Sequence, residues 1–219
     1  PEESWSYELS TTLKLADAAN LTVGLFYTDF KNMLDQENIG KETIDNKQFD
    51  ATKEINHGKV TAKGLEVLLN TASFHGFRFT GGYTYTHAEI KEGAWSKRGG
   101  DWANSPSKRP NELPRHSLTA RIDYEWNDFS AYVKSVSKFD SEQQNTKGGP
   151  NVDKYKNYTL VDLGASYVFK KQHRFSVAVN NIFDTGLEWV PSVTAGSYAN
   201  AYKEYIDGRN FWFSYAYSF

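Results

Sequence analysis

Residues 91–115 set six basic side chains, Lys91, Lys97, Arg98, Lys108, Arg109 and Arg115, against three acids, Glu92, Asp101 and Glu112, with Trp95 and Trp102 among them. Clustered positive charge draws in a multiply charged anion from a distance, and an indole offers a flat face to a ring or a cation. Trp95, Lys97, Arg98, Trp102, Lys108 and Arg109 are therefore candidate contacts for an anionic ligand. The competing reading is a solvated loop whose charges meet lipopolysaccharide phosphates or neighbouring loops. A later stretch, "VPSVTAGSYANAYKEYIDGR", is less basic but carries Tyr198, Tyr202 and Tyr205, whose rings stack and whose phenols hydrogen bond. Mutual packing of loops is the alternative there.

Bond-making chemistry finds no comparable support. The sequence has no G-x-S-x-G, no H-E-x-x-H and no glycine-rich phosphate loop. Cysteine is absent, which removes thiolate metal sites, disulfides and cysteine nucleophiles. His57, His75, His87, His116 and His173 are scattered, and the loop acids show no calcium-loop spacing. The expectation is binding and release by a protein that is not an enzyme and holds no metal or cofactor. A net charge of -2 gives no case for nucleic acid as a partner.

The elements that carry these loops are legible from a period of two. Phe77, Phe79, Tyr83 and Tyr85 alternate with Arg78, Thr80, Thr84 and Thr86; Leu118, Ala120, Ile122, Tyr124 and Trp126 alternate with Thr119, Arg121, Asp123 and Glu125. The last ten residues place Phe211, Phe213, Tyr215, Tyr217 and Phe219 on one face. Nine such segments occur, beginning near residues 5, 20, 60, 77, 117, 129, 158, 173 and 210. Each is about 9–13 residues long, the length with which a tilted strand crosses a bilayer. No uninterrupted apolar run is long enough for a membrane helix. The mean hydropathy of -0.66 does not oppose a membrane location, because a barrel spreads its apolar residues over alternate positions.

Connections alternate in length. Short links near 17–19, 71–76, 127–128 and 170–172 are separated by long ones over about 31–59, 90–115, 139–157 and 184–209. Outer-membrane barrels have this asymmetry, with short periplasmic turns and long extracellular loops. The fold expected is all-β, an antiparallel transmembrane β-barrel with its aromatic residues near the headgroup levels. The first long connection has more acids than bases, so it suits a protein partner better than an anion. Inward-facing Glu66, Arg78, Arg121, Asp123 and Glu125 either hold something in the lumen or solvate the wall. A soluble sandwich is the weaker reading, since it needs a second covering layer.

Single-chain barrels close with an even number of strands, so nine implies partners, and residues 1–219 are expected to form the C-terminal portion of a larger barrel with its earlier strands upstream. The opening "PEESWSYELS" has neither a basic start nor an apolar stretch, so an export signal is expected upstream or removed.

Several phrases carry a resemblance. "PEESWSYELS", "NLTVGLFYTDFKNMLD", "KGLEVLLN", "VNNIFDTG" and "DGRNFWFSYAYSF" are similar, in this order, to phrases of the C-terminal part of TonB-dependent outer-membrane receptors. More narrowly, the chain resembles the catecholate-siderophore group that includes the ferric enterobactin and colicin I receptors. The resemblance implies nine strands out of twenty-two, a plug domain and TonB box ahead of the barrel, and energy from the TonB complex. It also implies a ferric siderophore as cargo, a catecholate by preference, and a bacterial outer-membrane location among lipid and lipopolysaccharide. Phe219 looks like the terminal aromatic recognised by the barrel-assembly machinery. Colicin or phage binding is a further role that long loops allow. The alternatives are a passive porin-like channel, or TonB-dependent uptake of heme, protein-bound iron or cobalamin.

Overall fold

A computed structural model describes residues 1–92, 108–110, 113–144, 152–154, 157–186 and 206–219. The strands are β1 (Glu3–Leu15), β2 (Ala19–Ile44), β3 (Lys47–Thr71), β4 (Phe77–Glu92), β5 (His116–Trp126), β6 (Phe129–Phe139), β7 (Glu142–Gln144), β8 (Val152–Lys154), β9 (Tyr158–Phe169), β10 (His173–Asn180) and β11 (Asn210–Tyr217). Nine of them form one antiparallel sheet in the order β1-β2-β3-β4-β5-β6-β9-β10-β11, and β7 pairs with β8 in a separate two-stranded ribbon. All nine strands expected from the alternation are present, each beside its sequence neighbour in the main sheet.

Register carries the alternation across the whole sheet. Phe79, Ile122, Val133, Leu163, Val179 and Phe211 lie in one cross-strand row, and Phe77, Tyr124, Ala131, Ala165, Val177 and Phe213 in the next. On the opposite face Glu125, Ser130, Ser166, Ser176 and Ser214 form a row of their own, with Ser130 and Ser166 hydroxyls 2.8 Å apart. One face is therefore a continuous apolar belt and the other a polar wall.

The sheet is a single layer without a core of its own. Ala88 is the one buried apolar residue among those described, whereas Leu9, Phe211 and Phe213 are 73%, 74% and 69% exposed. Each large apolar side chain left in water forgoes about 1.5–3 kcal/mol of transfer free energy. So extensive an exposed belt belongs against lipid. Among the described residues no helix is long and apolar enough to cross a membrane, so the crossing falls to strands.

Two connections hold more structure than the alternation suggested. Residues 31–59, read as a long connection, are paired: β2 and β3 run for 26 and 25 residues to a turn at Asp45 and Asn46, with φ of 50° and 62°. Asp and Asn tolerate the left-handed conformation that a tight hairpin turn demands. The alternation misses this ribbon because polar residues occupy both of its faces. A bulge between Phe30 and Met33, with Asn32 at φ 55°, marks where it leaves the wall. The second case is the β7–β8 ribbon inside 139–157.

Aromatic rings tile two glycines on the polar face. A Cβ at Gly64 would overlap the ring of Phe26, and one at Gly164 the ring of Tyr132. Phe26 and Tyr132 are the direct cross-strand partners of those glycines, so each ring lies flat on the backbone opposite.

Candidate functional site

Because neighbouring strands are antiparallel, the four short turns fall at one end of the sheet and the long connections at the other. The candidate ligand contacts belong to the long-connection end, and two hydrogen-bonded supports organise its described part.

The first is a brace between residues 108–115 and the segment after β6. The Lys108 carbonyl accepts from Ile90 N at 2.7 Å and the Arg115 carbonyl from Thr86 N at 2.9 Å, so the descending arm of the β4–β5 connection runs down β4. Arg109 then reaches across: its Nη1 lies 2.8 Å from Glu142 Oε1 and 3.4 Å from Asp140 Oδ2, and its Nη2 donates to the carbonyls of Leu113 and Asp140. Arg115 Nη1 lies 3.3 Å from the same Asp140 oxygen, and the Asp140 amide donates to Asn157 Oδ1. The Arg109 and Glu142 side chains are only 10% and 12% exposed. At that burial, removing either partner takes the nearest counter-charge from the other.

The second support is Asn181, 3% exposed. Its Oδ1 accepts from Thr185 N at 2.8 Å, and its Nδ2 donates to the carbonyls of Thr185 and Asp207, both at 3.0 Å. One side chain thus staples together the two ends of the β10–β11 connection. Asp184 adds a bond from Arg209 N to its Oδ1, and the Asn181 amide donates to Asp162 Oδ1. Asp162 also faces Lys134 at 3.8 Å, which ties the staple to the polar wall.

On that wall, Arg121 binds both Asp123 carboxylate oxygens at 2.6–2.9 Å, and its guanidinium sits 4.2 Å from the centre of the Tyr132 ring. These side chains line a concavity of about 490 Å³ together with Glu125, Ser166 and Trp212. Further along β4, Lys91 donates a hydrogen bond to Glu89 Oε2. Among the described residues no group of three or more His, Asp or Glu is arranged to hold a metal ion.

Of the nine expected ligand contacts, Trp95, Lys97, Arg98, Trp102, Tyr198, Tyr202 and Tyr205 lie outside the described residues. Lys108 is exposed, and the Arg109 side chain is largely buried in the brace. Phe219 is fully exposed, its ring 5.8 Å from that of Tyr217. Sequence reading singled out neither Asp140 nor Glu142. It quoted the phrase containing Asn181 without its role; the cue available was a repeated asparagine directly before a turn.

Comparison with known proteins follows the same lines. A family model described as "TonB dependent receptor-like, beta-barrel" matches residues 1–182. The iron-regulated outer membrane virulence protein of Vibrio cholerae is 25% identical over 217 residues, covering 97% of this chain and 30% of the relative. The catecholate siderophore receptor Fiu of Escherichia coli K12 is 24% identical over 200 residues, covering 90% of this chain and 24% of the relative. A mutant of the ferric enterobactin receptor PfeA from Pseudomonas aeruginosa, solved with enterobactin, superposes on the fold with a TM-score of 0.71 at 19% identity, covering 100% of this chain and 32% of that one. The chain thus spans about a quarter to a third of the length of these curated relatives.

Proposed function

The chain belongs to the TonB dependent receptor-like β-barrel family, and from that premise we propose that it forms the C-terminal portion of the wall of an energy-coupled receptor taking up a ferric siderophore across the bacterial outer membrane. The carrying observation is the register: one apolar face and one polar face persist through nine adjacent strands. In lipid, the open sides of β1 and β11 must be paired, because each unsatisfied backbone group costs several kcal/mol there. Further barrel strands satisfy both edges, and a plug in the lumen would meet the Arg121, Asp123 and Tyr132 wall. In this reading the long connections are extracellular and overhang the entrance, and Phe219 marks the end that the barrel-assembly machinery recognises.

A catecholate is the favoured cargo. A ferric tris-catecholate is strongly anionic and presents flat rings, which suits Lys97, Arg98 and Lys108 with Trp95, Trp102, Tyr198, Tyr202 and Tyr205 around them. The name of the Fiu relative points the same way. The deciding experiment titrates the intact protein with ferric enterobactin and with a ferric hydroxamate. Tighter binding of the catecholate is expected, whereas preference for the hydroxamate would overturn the cargo assignment and leave the receptor reading standing. A porin-like channel would instead leak small solutes without any requirement for TonB.

A further inference from the structure

The four short turns differ in charge. The β1–β2 turn carries Asp17, the β5–β6 turn carries Asp128, the β3–β4 turn has His75 as its one titratable residue, and the β9–β10 turn carries Lys170 and Lys171. Both lysines are held in the left-handed conformation, at φ 51° and 60°, and Gln172 N closes the turn on the Phe169 carbonyl at 3.2 Å. Among the described residues no carboxylate lies within ion-pair reach of either ammonium. Arg174, next along β10, points to the polar wall.

Below this turn the apolar face is aromatic. His173 lies in register with Phe169 on one side and Tyr217 on the other. Its ring stacks on Tyr215 with centroids 6.0 Å apart, and lies 5.0 Å from Tyr217 and 6.2 Å from Phe169. Lys170 Nζ lies 5.2 Å from the centre of the Phe169 ring. His173 Nδ1 is 2.8 Å from the Tyr215 hydroxyl. In the tautomer in which the phenol donates to Nδ1, the imidazole proton sits on Nε2.

The opposite end of the belt repeats the histidine but not the free charge. His116 Nδ1 lies 2.8 Å from the Tyr83 hydroxyl, with Tyr85 at 5.3 Å between centroids, yet the adjacent cation Arg115 is paired with Asp140. Cations without a carboxylate partner among the described residues, an imidazole and an aromatic floor continuous with the belt coincide at the β9–β10 turn.

We propose that this turn binds the headgroup phosphate of an anionic phospholipid in the periplasmic leaflet. Lys170 and Lys171 supply the charge and His173 Nε2 a hydrogen bond. Phe169, Tyr215 and Tyr217 carry the glycerol and first acyl carbons, and Phe175 and Val177 continue the apolar path along the strand. That floor selects a lipid over a free anion, for which an apolar bed contributes nothing.

The test uses the intact protein in detergent, checked as folded by heat-dependent gel mobility, with native mass spectrometry counting retained lipid. Phosphatidylglycerol should be held in preference to phosphatidylcholine, and Lys170→Gln with Lys171→Gln should lower its affinity by roughly fivefold per lysine. His173→Phe keeps a ring but loses the donor, and should cost roughly another fivefold. Asp17→Asn, on a different turn, should leave retention unchanged. If the double variant does not fold, Lys171→Gln alone carries the test. Equal retention of the two lipids, unchanged affinity in the lysine variants, or full displacement by millimolar inorganic phosphate would each overturn the proposal.

Discussion

The two ends of the sheet solve opposite problems. At the short-turn end, four tight links return each strand beside its partner, and closure rests on backbone geometry: Gly76 at φ 84°, the paired left-handed lysines, and Asn127 at φ 50°. At the other end, strands continue past the belt, and order rests on side chains from distant parts of the sequence, such as Arg109 with Glu142 and Asn181 with Asp207. Backbone closure tolerates little change because it has few conformations to choose from. Side-chain closure can be rebuilt residue by residue. One end is thereby suited to a constant task, turning the chain, and the other to contacts that can vary.

Substitutions at each end sharpen this contrast. The largest effect is expected at Gly76→Ala, where a Cβ would collide with the Glu125 carbonyl in a left-handed conformation. The cost should be about 3 kcal/mol or more, seen as lost folded yield by heat-dependent gel mobility. Gly40→Ala, at φ 120° with open space around it, adds backbone strain of about 1–3 kcal/mol without a collision; it should cost less than Gly76→Ala and serves as the counterpart at the far end.

Next comes Arg109→Met, which takes the closest guanidinium from Glu142 and leaves Arg115 as the cation beside Asp140. A local loss of about 3 kcal/mol is expected, read as faster amide exchange over residues 108–115 and 140–144 while the nine-stranded wall stays protected. Collapse of the whole barrel would show that the two ends are not independent. Asn181→Ala should cost about 1–3 kcal/mol and speed proteolysis between residues 184 and 209, again without changing the folded fraction.

The smallest expected change is in binding alone. Lys97→Gln, Arg98→Gln and Lys108→Gln together should slow capture of an anionic ferric chelate several-fold and flatten its salt dependence. Replacing Arg109 as well would mix this effect with loss of the brace. Capture rates that do not respond would remove the basic loop from the entrance.

The wall was legible because its physics is local. Each strand announces itself through alternate residues such as Leu118, Ala120 and Ile122, and the turn positions through Gly, Asn and Asp. The ribbon over 31–59 escaped because both its faces meet water, which erases the periodic signal while leaving the hydrogen bonds intact. The brace and the staple escaped for a different reason. Arg109 and Glu142 lie 33 residues apart and Asn181 and Asp207 lie 26 apart, so their meeting depends on which strands neighbour one another. Composition pointed to a basic loop; only topology shows that Arg109 is held by acids of the next connection.

The twelve residues 33–44 of β2, paired with 47–58 of β3, rise at about 3.3 Å per residue. In the proposed orientation, their tip at Asp45 and Asn46 lies up to roughly 40 Å along the ribbon from the bulge, like a mast on a hull. In that orientation the ribbon tip is the first part of these strands to meet the medium, and a bulky label fixed at Asn46 should hinder macromolecules far more than a small ferric chelate.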